Sequence, residues 1–261
     1  MTRANLLALS FSGASVAAIA LLGATPVTLS ALAGIFVALL ADGVASPASG
    51  LLVPTRSHGS RSGRRVALTF DDGPDPEITP RIADALAAAA AKATFFCIGR
   101  HVEAHPDLVR RLVAEGHELG NHSYAHSRLL NFRGPRHMDA EIARGARAIQ
   151  AATGPSDPLY RPPLGLRNYA LSVVAARRRL TVVNWSLHGR DTGGATATQI
   201  AARVLSRARP GDIILLHDGC DREGADRRPT AEALPAILAG LEKRGLVCVT
   251  ASELLHPEVA P

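Results

Sequence analysis

The stretch from Val66 to Pro74, Val-Ala-Leu-Thr-Phe-Asp-Asp-Gly-Pro, joins a short apolar run to an acidic turn. The apolar run predicts a buried strand, and Asp-Gly-Pro predicts a tight turn directly after it. The two neighbouring carboxylates point in divergent directions, so Asp71 and Asp72 can divide two tasks, one binding a metal ion and the other acting as a base. The plainer alternative is a structural turn in which one carboxylate caps a helix.

The chain after Arg65 alternates short apolar runs with longer amphipathic ones. This pattern predicts an α/β fold with a parallel sheet, in the form of a barrel or partly closed barrel, but does not distinguish it from an open doubly wound sheet. Because residues that follow parallel strands meet at the carboxyl edge, Asp71, Asp72 and His217 are expected to lie together. The predicted strands are 66–70, 93–98, 180–185, 212–217 and 246–250, and the predicted helices are 80–91, 106–115, 138–152, 198–207 and 230–244.

Two histidines four residues apart, His122 and His126, complete a predicted metal site with Asp72. A mononuclear divalent-metal site takes about three protein ligands and leaves a position for water, and nitrogen and oxygen ligands suit such an ion. Asp71 and His217 then remain for proton transfer. The other histidines are expected to be structural (His117) or to lie in surface or loop positions: His101, His105, His137, His188 and His256.

The first 54 residues differ in composition from the rest of the chain, since their only charged residues are Arg3 and Asp42. Two apolar runs, 6–22 and 27–41, are separated by a break at 23–26, and each is near the lower limit of about 20 residues for spanning a bilayer. Residues 1–54 are therefore predicted to be a hydrophobic helical membrane anchor, either one span or a two-span hairpin. A cleaved signal peptide fits poorly, because Arg3 alone would form its basic region.

A basic linker is predicted over 55–65 and a catalytic domain over 66–256. If both apolar runs span, the domain and the N-terminus share one side, which the arginines after the anchor would place in the cytoplasm; if one spans, the domain faces outward. The chain has 29 basic and 23 acidic residues, a formal charge of +6. No nucleic-acid motif accompanies this charge, and the spacing of the three cysteines predicts neither a disulfide scaffold nor a zinc cluster.

Several ordered motifs from about Val66 to Leu255 resemble the polysaccharide deacetylases, the NodB homology domain of carbohydrate esterase family four. The first is Thr69 to Pro74, for which the resemblance implies that Asp71 is the general base and Asp72 a metal ligand. The second is His122 to His126, which implies the two metal-binding imidazoles. The resemblance also implies a deformed (β/α) barrel.

A third motif, Arg161-Pro-Pro-Leu-Gly165, implies that Arg161 holds the base carboxylate and that the Leu164 N–H binds the developing oxyanion, with Pro163 contacting substrate. Leu164 replaces the aromatic residue usual in the family, which alters a wall of the sugar site.

The last two motifs surround the catalytic imidazole. The fourth departs from the family's Asp-x-x-Asp-Trp, but Asp191 can still orient and charge His217, and Trp185 can compensate for the missing tryptophan or be plain core. The fifth, Leu215-Leu-His217, implies that His217 is the general acid and that Leu215 lines the acetyl-methyl pocket.

The resemblance implies a metal-dependent hydrolase, with zinc as the default ion and cobalt or nickel as substitutes, that removes N-acetyl groups from N-acetylglucosamine polymers such as peptidoglycan, chitin or an exopolysaccharide. Its expected partners are the acetylated glycan and the membrane, and its expected location is the cell envelope. Two alternatives stay open. One is hydrolysis of a small cyclic amide or an O-acetyl ester on the same fold, and the other is a membrane-tethered glycan-binding protein with a silent site.

Overall fold

The computed structural model describes residues 3–155, 157–222 and 225–256. Within these residues the strands form one nine-stranded parallel sheet in the order β1-β6-β5-β4-β3-β2-β8-β7, and β9 pairs with the beginning of β2. The strands are β1 (Thr55–Arg56), β2 (Arg65–Asp71), β3 (Thr94–Cys97), β4 (Glu118–Asn121), β5 (Leu159–Tyr160), β6 (Thr181–Val183), β7 (Leu187–His188), β8 (Ile213–His217) and β9 (Val247–Val249).

Helices lie in most of the connections between strands, as parallel pairing of neighbours favours. The helices of the described residues are α1 (Arg3–Leu22), α2 (Pro26–Ala45), α3 (Ile78–Ala88), α4 (Gly99–Ala104), α5 (Pro106–Ala114), α6 (Pro135–Thr153), α7 (Tyr169–Arg178), α8 (Ala197–Arg207), α9 (Arg228–Lys243) and α10 (Ala251–Leu255). Side chains of α3, α8 and α9 pack on the outer face of β2, β3 and β8, where Phe70 and Phe95 stack with their ring centroids 5.1 Å apart.

The sheet is curled into an incomplete barrel. β6 and β7 lie toward opposite ends of the strand order, yet only residues 184–186 connect them, so the two ends of the sheet must approach each other. Alternate residues of β3 face opposite sides, with Phe95 in the outer core and Phe96 in a second cluster with Ala67 and Val183. The predicted parallel α/β fold and partly closed barrel are confirmed.

The longer predicted elements are present with ends moved by a few residues; the predicted helix 80–91, for example, is α3 at Ile78–Ala88. The sequence did not predict the two-residue strands β1, β5 and β7, or the helices α4, α7 and α10. Two-residue strands carry too little periodicity to be recognised, whereas α7 has a readable start, because the Asn168 side chain accepts a hydrogen bond from the Leu171 N–H at 2.8 Å.

The segment predicted as a basic linker contributes to the sheet. Thr55 and Arg56 pair with Val182 and Val183 of β6, and His58 forms an isolated antiparallel bridge with Asp212. The prediction of a linker is wrong for these residues, because backbone pairing is decided by a strand that lies far away in the sequence.

The two N-terminal helices are long and apolar enough to cross a membrane. Candidate spans cover Asn5–Leu22 and Pro26–Ala45, with mean hydropathies of 1.8 and 2.0 and only 0% and 6% of their residues buried. Thr25 caps the start of α2 by accepting a hydrogen bond from the Thr28 N–H. The end of α2 is attached to the domain, since Leu40 and Val44 pack on a cluster that includes Leu171.

Candidate active site

Asp72, His122 and His126 form a buried group with ligand atoms close enough to share one metal ion. Asp72 Oδ1 lies 3.5 Å from His122 Nε2 and 3.4 Å from His126 Nε2. Tetrahedral ligands with bonds of about 2.1 Å are separated by roughly 3.4 Å, so these separations suit a zinc-sized ion. Asp72 Oδ1 is also buried without a hydrogen-bond partner among the described residues. A cation would supply that partner, and the residues therefore fit the metal.

The two imidazoles are held in the form that binds metals. His122 Nδ1 donates to the Arg161 carbonyl oxygen at 2.7 Å, which leaves Nε2 with a free lone pair directed at Asp72. Burial lowers the pKa of His122 to about 3, and burial with the neighbouring His122 ring lowers the pKa of His126. Burial likewise raises the pKa of Asp72. Neutral imidazoles are ready to ligate, and a bound cation would favour the ionised carboxylate.

Asp71 is fixed by Arg161, a fully buried arginine. Arg161 Nη1 donates to Asp71 Oδ1 at 2.6 Å and to the Thr69 hydroxyl at 2.8 Å, while Nε and Nη2 donate to the carbonyl oxygens of Val183 and Asn184. The other carboxylate oxygen, Asp71 Oδ2, lies 3.6 Å from His122 Nε2. One oxygen is therefore held by the arginine, and the other faces the group Asp72–His122–His126.

His217 lies on the neighbouring strand, directly paired with Asp71. Its Nδ1 is 2.9 Å from Asp191 Oδ1, while Asp191 Oδ2 accepts hydrogen bonds from the His217 N–H at 2.7 Å and from the Thr230 hydroxyl at 2.9 Å. Burial opposes the charge on the ring, but the charge and hydrogen bond of Asp191, with smaller contributions from Asp71 and Asp72, raise the pKa of His217. The pKa of Asp191 is lowered, because the interactions with His217 outweigh its own burial.

These side chains surround an open cavity of about 560 Å³. Trp185, Leu215 and Leu164, which were predicted to bind substrate or the oxyanion, line it. Leu164 is 51% exposed and has a φ of 59°, a left-handed conformation that costs an ordinary residue about 1–2 kcal/mol. The Trp185 ring packs so closely on Gly165 that a Cβ there would lie 2.5 Å from it. Pro163 is buried and does not line this cavity.

Two histidines that were predicted to lie in surface or loop positions contact the site, so that prediction is wrong for them. His101 Nδ1 is 2.8 Å from the Asp72 carbonyl oxygen, and His188 lines the cavity with its ring centroid 5.9 Å from that of His217. His117 is buried against Phe95, as expected for a structural histidine.

The segment after β8 contributes two carboxylates that the sequence prediction missed. Asp221 Oδ2 lies 3.4 Å from His126 Nδ1 and 3.3 Å from Arg128 Nε, so it faces the ring nitrogen of His126 that is turned away from Asp72. Asp218 is buried and accepts from the Gly73 N–H at 3.1 Å and the Thr79 hydroxyl at 2.6 Å, which secures the turn that carries Asp72. Burial raises the pKa of Asp218 to about 7. The sequence feature that could have revealed both residues is that this acidic segment directly follows the apolar run of a buried strand.

Three residues that could hold a metal ion, a carboxylate held by arginine and a histidine–aspartate pair lie together at one edge of a parallel sheet, an arrangement typical of a hydrolytic site. The model of the family described as "Polysaccharide deacetylase" matches residues 58–183. A chitooligosaccharide deacetylase from Bradyrhizobium sp. (strain ANU 289) is 37% identical over 204 residues, which cover 75% of this chain and 93% of that protein. A peptidoglycan-N-acetylglucosamine deacetylase from Bacillus cereus is 40% identical over 194 residues, 73% of this chain and 88% of that protein.

The crystal structure of the Bc1960 peptidoglycan N-acetylglucosamine deacetylase, in complex with an N-hydroxybenzamide, superposes with a TM-score of 0.73 at 32% identity and covers 77% of this chain and 92% of that one. The chain belongs to the polysaccharide deacetylase family. It is a hydrolase of carbon–nitrogen bonds, as the sequence motifs predicted.

Proposed function

We propose that this protein is a metal-dependent, membrane-anchored enzyme that removes N-acetyl groups from an N-acetylglucosamine-containing glycan and releases acetate. The observation that carries the proposal is the meeting of Asp71, the group Asp72–His122–His126 and His217 around one open cavity. Asp71, held by Arg161, can take a proton, and His217 on the paired strand, held by Asp191, can give one.

Asp71 acts as the general base. Its Oδ1 is occupied by Arg161, so Oδ2 accepts the proton of the attacking water on the side of the metal ligands. Because Arg161 also binds three neighbouring oxygens and is fully buried, the carboxylate has little freedom to turn away. Orientation of this kind converts a weak base into an effective one.

His217 acts as the general acid and protonates the departing amine. Asp191 holds the ring through Nδ1, which leaves Nε2 to carry the proton towards the cavity, and it stabilises the charged ring. The Leu164 N–H lies on the loop at the rim of the cavity and is assigned to the oxyanion. Leu215 and Trp185 line the acetyl end of the cavity in this assignment.

Asp72, His122 and His126 would hold one divalent ion, which supplies a Lewis acid for the carbonyl oxygen and lowers the pKa of water from about 15.7 towards 7. Two nitrogen ligands and one oxygen ligand favour zinc, and cobalt or nickel can occupy the same set. The Arg161 carbonyl orients His122 through a hydrogen bond, and Asp221, 3.4 Å from His126 Nδ1, is placed to favour the orientation of His126 by its charge.

The relatives named for chitooligosaccharide and for peptidoglycan N-acetylglucosamine support an N-acetylglucosamine glycan as substrate. The hairpin of α1 and α2 supports attachment to a membrane, and relatives named for peptidoglycan support the cell envelope as its location.

Acetate release by the full chain in detergent tests the function, with zinc loaded and with N-acetylglucosamine oligomers and peptidoglycan offered separately. The full chain is used because residues 46–56 are bonded into the catalytic domain. We expect release that stops in Asp71→Asn and with a chelator. Metal binding without release from any acetylated sugar would reject the function, and small cyclic amides and O-acetyl esters offered in parallel would identify the alternative.

A further inference from the structure

The N-terminal hairpin joins the catalytic domain at the carboxyl edge of the sheet, the edge that carries the active site. Arg167 is fully buried, and its guanidinium donates to the carbonyl oxygens of Ser46, Pro47 and Ser49 just beyond α2, while its N–H donates to the Val44 carbonyl oxygen at 3.1 Å. These contacts also satisfy carbonyls at a helix C-terminus. Arg167 lies two residues after Gly165 of the cavity wall.

A second contact ties the end of the hairpin to the same wall. The Asn184 side-chain amide, immediately after β6, donates to the Pro47 carbonyl oxygen at 3.4 Å and to the Gly165 carbonyl oxygen at 3.2 Å. The hairpin is therefore fixed beside the cavity by hydrogen bonds from the buried residues Arg167 and Asn184. A bilayer that contains the hairpin would begin near this edge of the domain.

The connection between His126 and α6, residues 127–134, exposes apolar side chains next to the base of the hairpin. Phe132 is 84% exposed and Leu129 58% exposed, whereas Leu130 between them belongs to the cluster on which Leu7, Leu40 and Val44 of the hairpin pack. The Asn168 side chain donates to the Asn131 carbonyl oxygen at 2.6 Å and so links the connection to the start of α7, where Tyr169 is 54% exposed.

Exposed basic residues flank these apolar side chains. Arg128 and Arg133 lie within the connection, and Arg136 follows in the first turn of α6. Apolar and aromatic side chains with arginines beside them suit the headgroup region of an anionic bilayer. Arg128 also lines the active-site cavity, so the exposed apolar and basic side chains of residues 128–136 are continuous with the cavity rim.

We propose that the surface formed by Leu129, Phe132, Tyr169, Arg133 and Arg136 rests on an anionic lipid bilayer, so that the active-site edge of the domain faces the membrane. The proposal rests on the membrane anchor proposed above. Continuity with the hairpin and the arginines that match anionic headgroups are the observations that favour a bilayer as the occupant. The enzyme would then act on glycan held at the membrane surface.

The test is quenching of tryptophan fluorescence by brominated lipids in the full chain, reconstituted in vesicles that contain anionic lipid. The chain has one native tryptophan, so the signal of the unmodified protein can be subtracted. Phe132→Trp should be quenched more strongly by bromines near the headgroups than by bromines near the bilayer centre, because interfacial side chains penetrate only about 5–10 Å.

Two matched variants complete the design. Phe36→Trp, on the exposed face of α2, should be quenched if the hairpin is embedded. Val247 is 57% exposed but lies at the amino end of β9, opposite the active-site edge. A tryptophan at this position, Val247→Trp, should therefore not be quenched. Quenching at Phe36→Trp without quenching at Phe132→Trp would overturn the proposal while leaving the anchor intact, and equal quenching at Val247→Trp would overturn the orientation. None of these signals depends on catalysis.

Contact with the bilayer should also favour membrane-bound substrates over soluble ones, and acetate release from the two kinds of substrate measures this preference. Phe132→Asp should lower acetate release from an N-acetylglucosaminyl lipid in vesicles by about tenfold, the effect of withdrawing one aromatic side chain from the bilayer, and leave release from a soluble N-acetylglucosamine oligomer unchanged. An equal loss on both substrates would contradict a role at the membrane.

Discussion

Asp191 is predicted to set the upper pH limit of activity through His217. The change Asp191→Asn keeps the shape of this buried side chain and removes its charge beside His217, whose side chain is only 12% exposed. The hydrogen bond of 2.9 Å joins His217 Nδ1 to Asp191 Oδ1. It stabilises the charged form of the His217 ring, which is the form that acts as the general acid. Such a bond contributes about 1.5–3 kcal/mol, so its loss should slow protonation of the leaving amine by about 10- to 150-fold.

The direction of the pH effect follows from the raised pKa of His217. Only the protonated ring donates, so activity is present below that pKa and is lost as the pH rises through it. Without the Asp191 charge the pKa of His217 falls, and the alkaline limb of kcat/KM should move to lower pH. The assay is acetate release by metal-loaded protein across pH.

Asp226→Asn provides the control, since it removes one negative charge from an exposed carboxylate that forms its ion pair with exposed Arg228. Thr230→Val removes one hydrogen bond to Asp191 but leaves its charge in place, so the alkaline limb should not move to lower pH as it does in Asp191→Asn. An Asp191→Asn profile that superposes on the native one, with kcat within about twofold, would refute the assignment of His217 as an acid tuned by Asp191.

Three further outcomes are expected. Asp71→Asn should lower kcat by about 10²–10⁴, the usual contribution of a general base, with metal content unchanged by elemental analysis; a parallel loss of metal would contradict its role as the base. Asp72→Asn should weaken metal binding in a chelator competition, because the orphaned Oδ1 loses its charge, and native affinity would exclude it as a ligand. Arg161→Met should destabilise the fold by about 3–5 kcal/mol, because Asp71 is left as an unpaired buried charge. Thermal unfolding of the detergent-solubilised protein measures the loss, with Arg161→Lys as the milder control. If Arg161→Met is as stable as the native protein, the ion pair between Arg161 and Asp71 does not stabilise the fold.

The core strands and the residues that end them could be predicted because their signals are local. An apolar run that stops at Asp71 and another that stops at His217 predict two buried strands, and parallel pairing then places both ends at one edge. The short strand β1 could not be predicted, since its pairing partner Val182 lies more than a hundred residues away. The same reason explains why Asp221 escaped notice: its contact with His126 spans two different loops.

The alternation of strands and helices, the residue types at Asp72, His122 and His126, and the apolar character of the first 54 residues could all be read from the sequence. These properties depend on side-chain chemistry and on periodicity within a few residues. Tertiary structure alone decided that Arg167 joins the hairpin to the cavity wall, that Pro163 is buried while Leu164 is exposed, and that His101 and His188 contact the site. Each of these depends on how distant segments are brought together when the sheet curls, and a local pattern carries no information about that geometry.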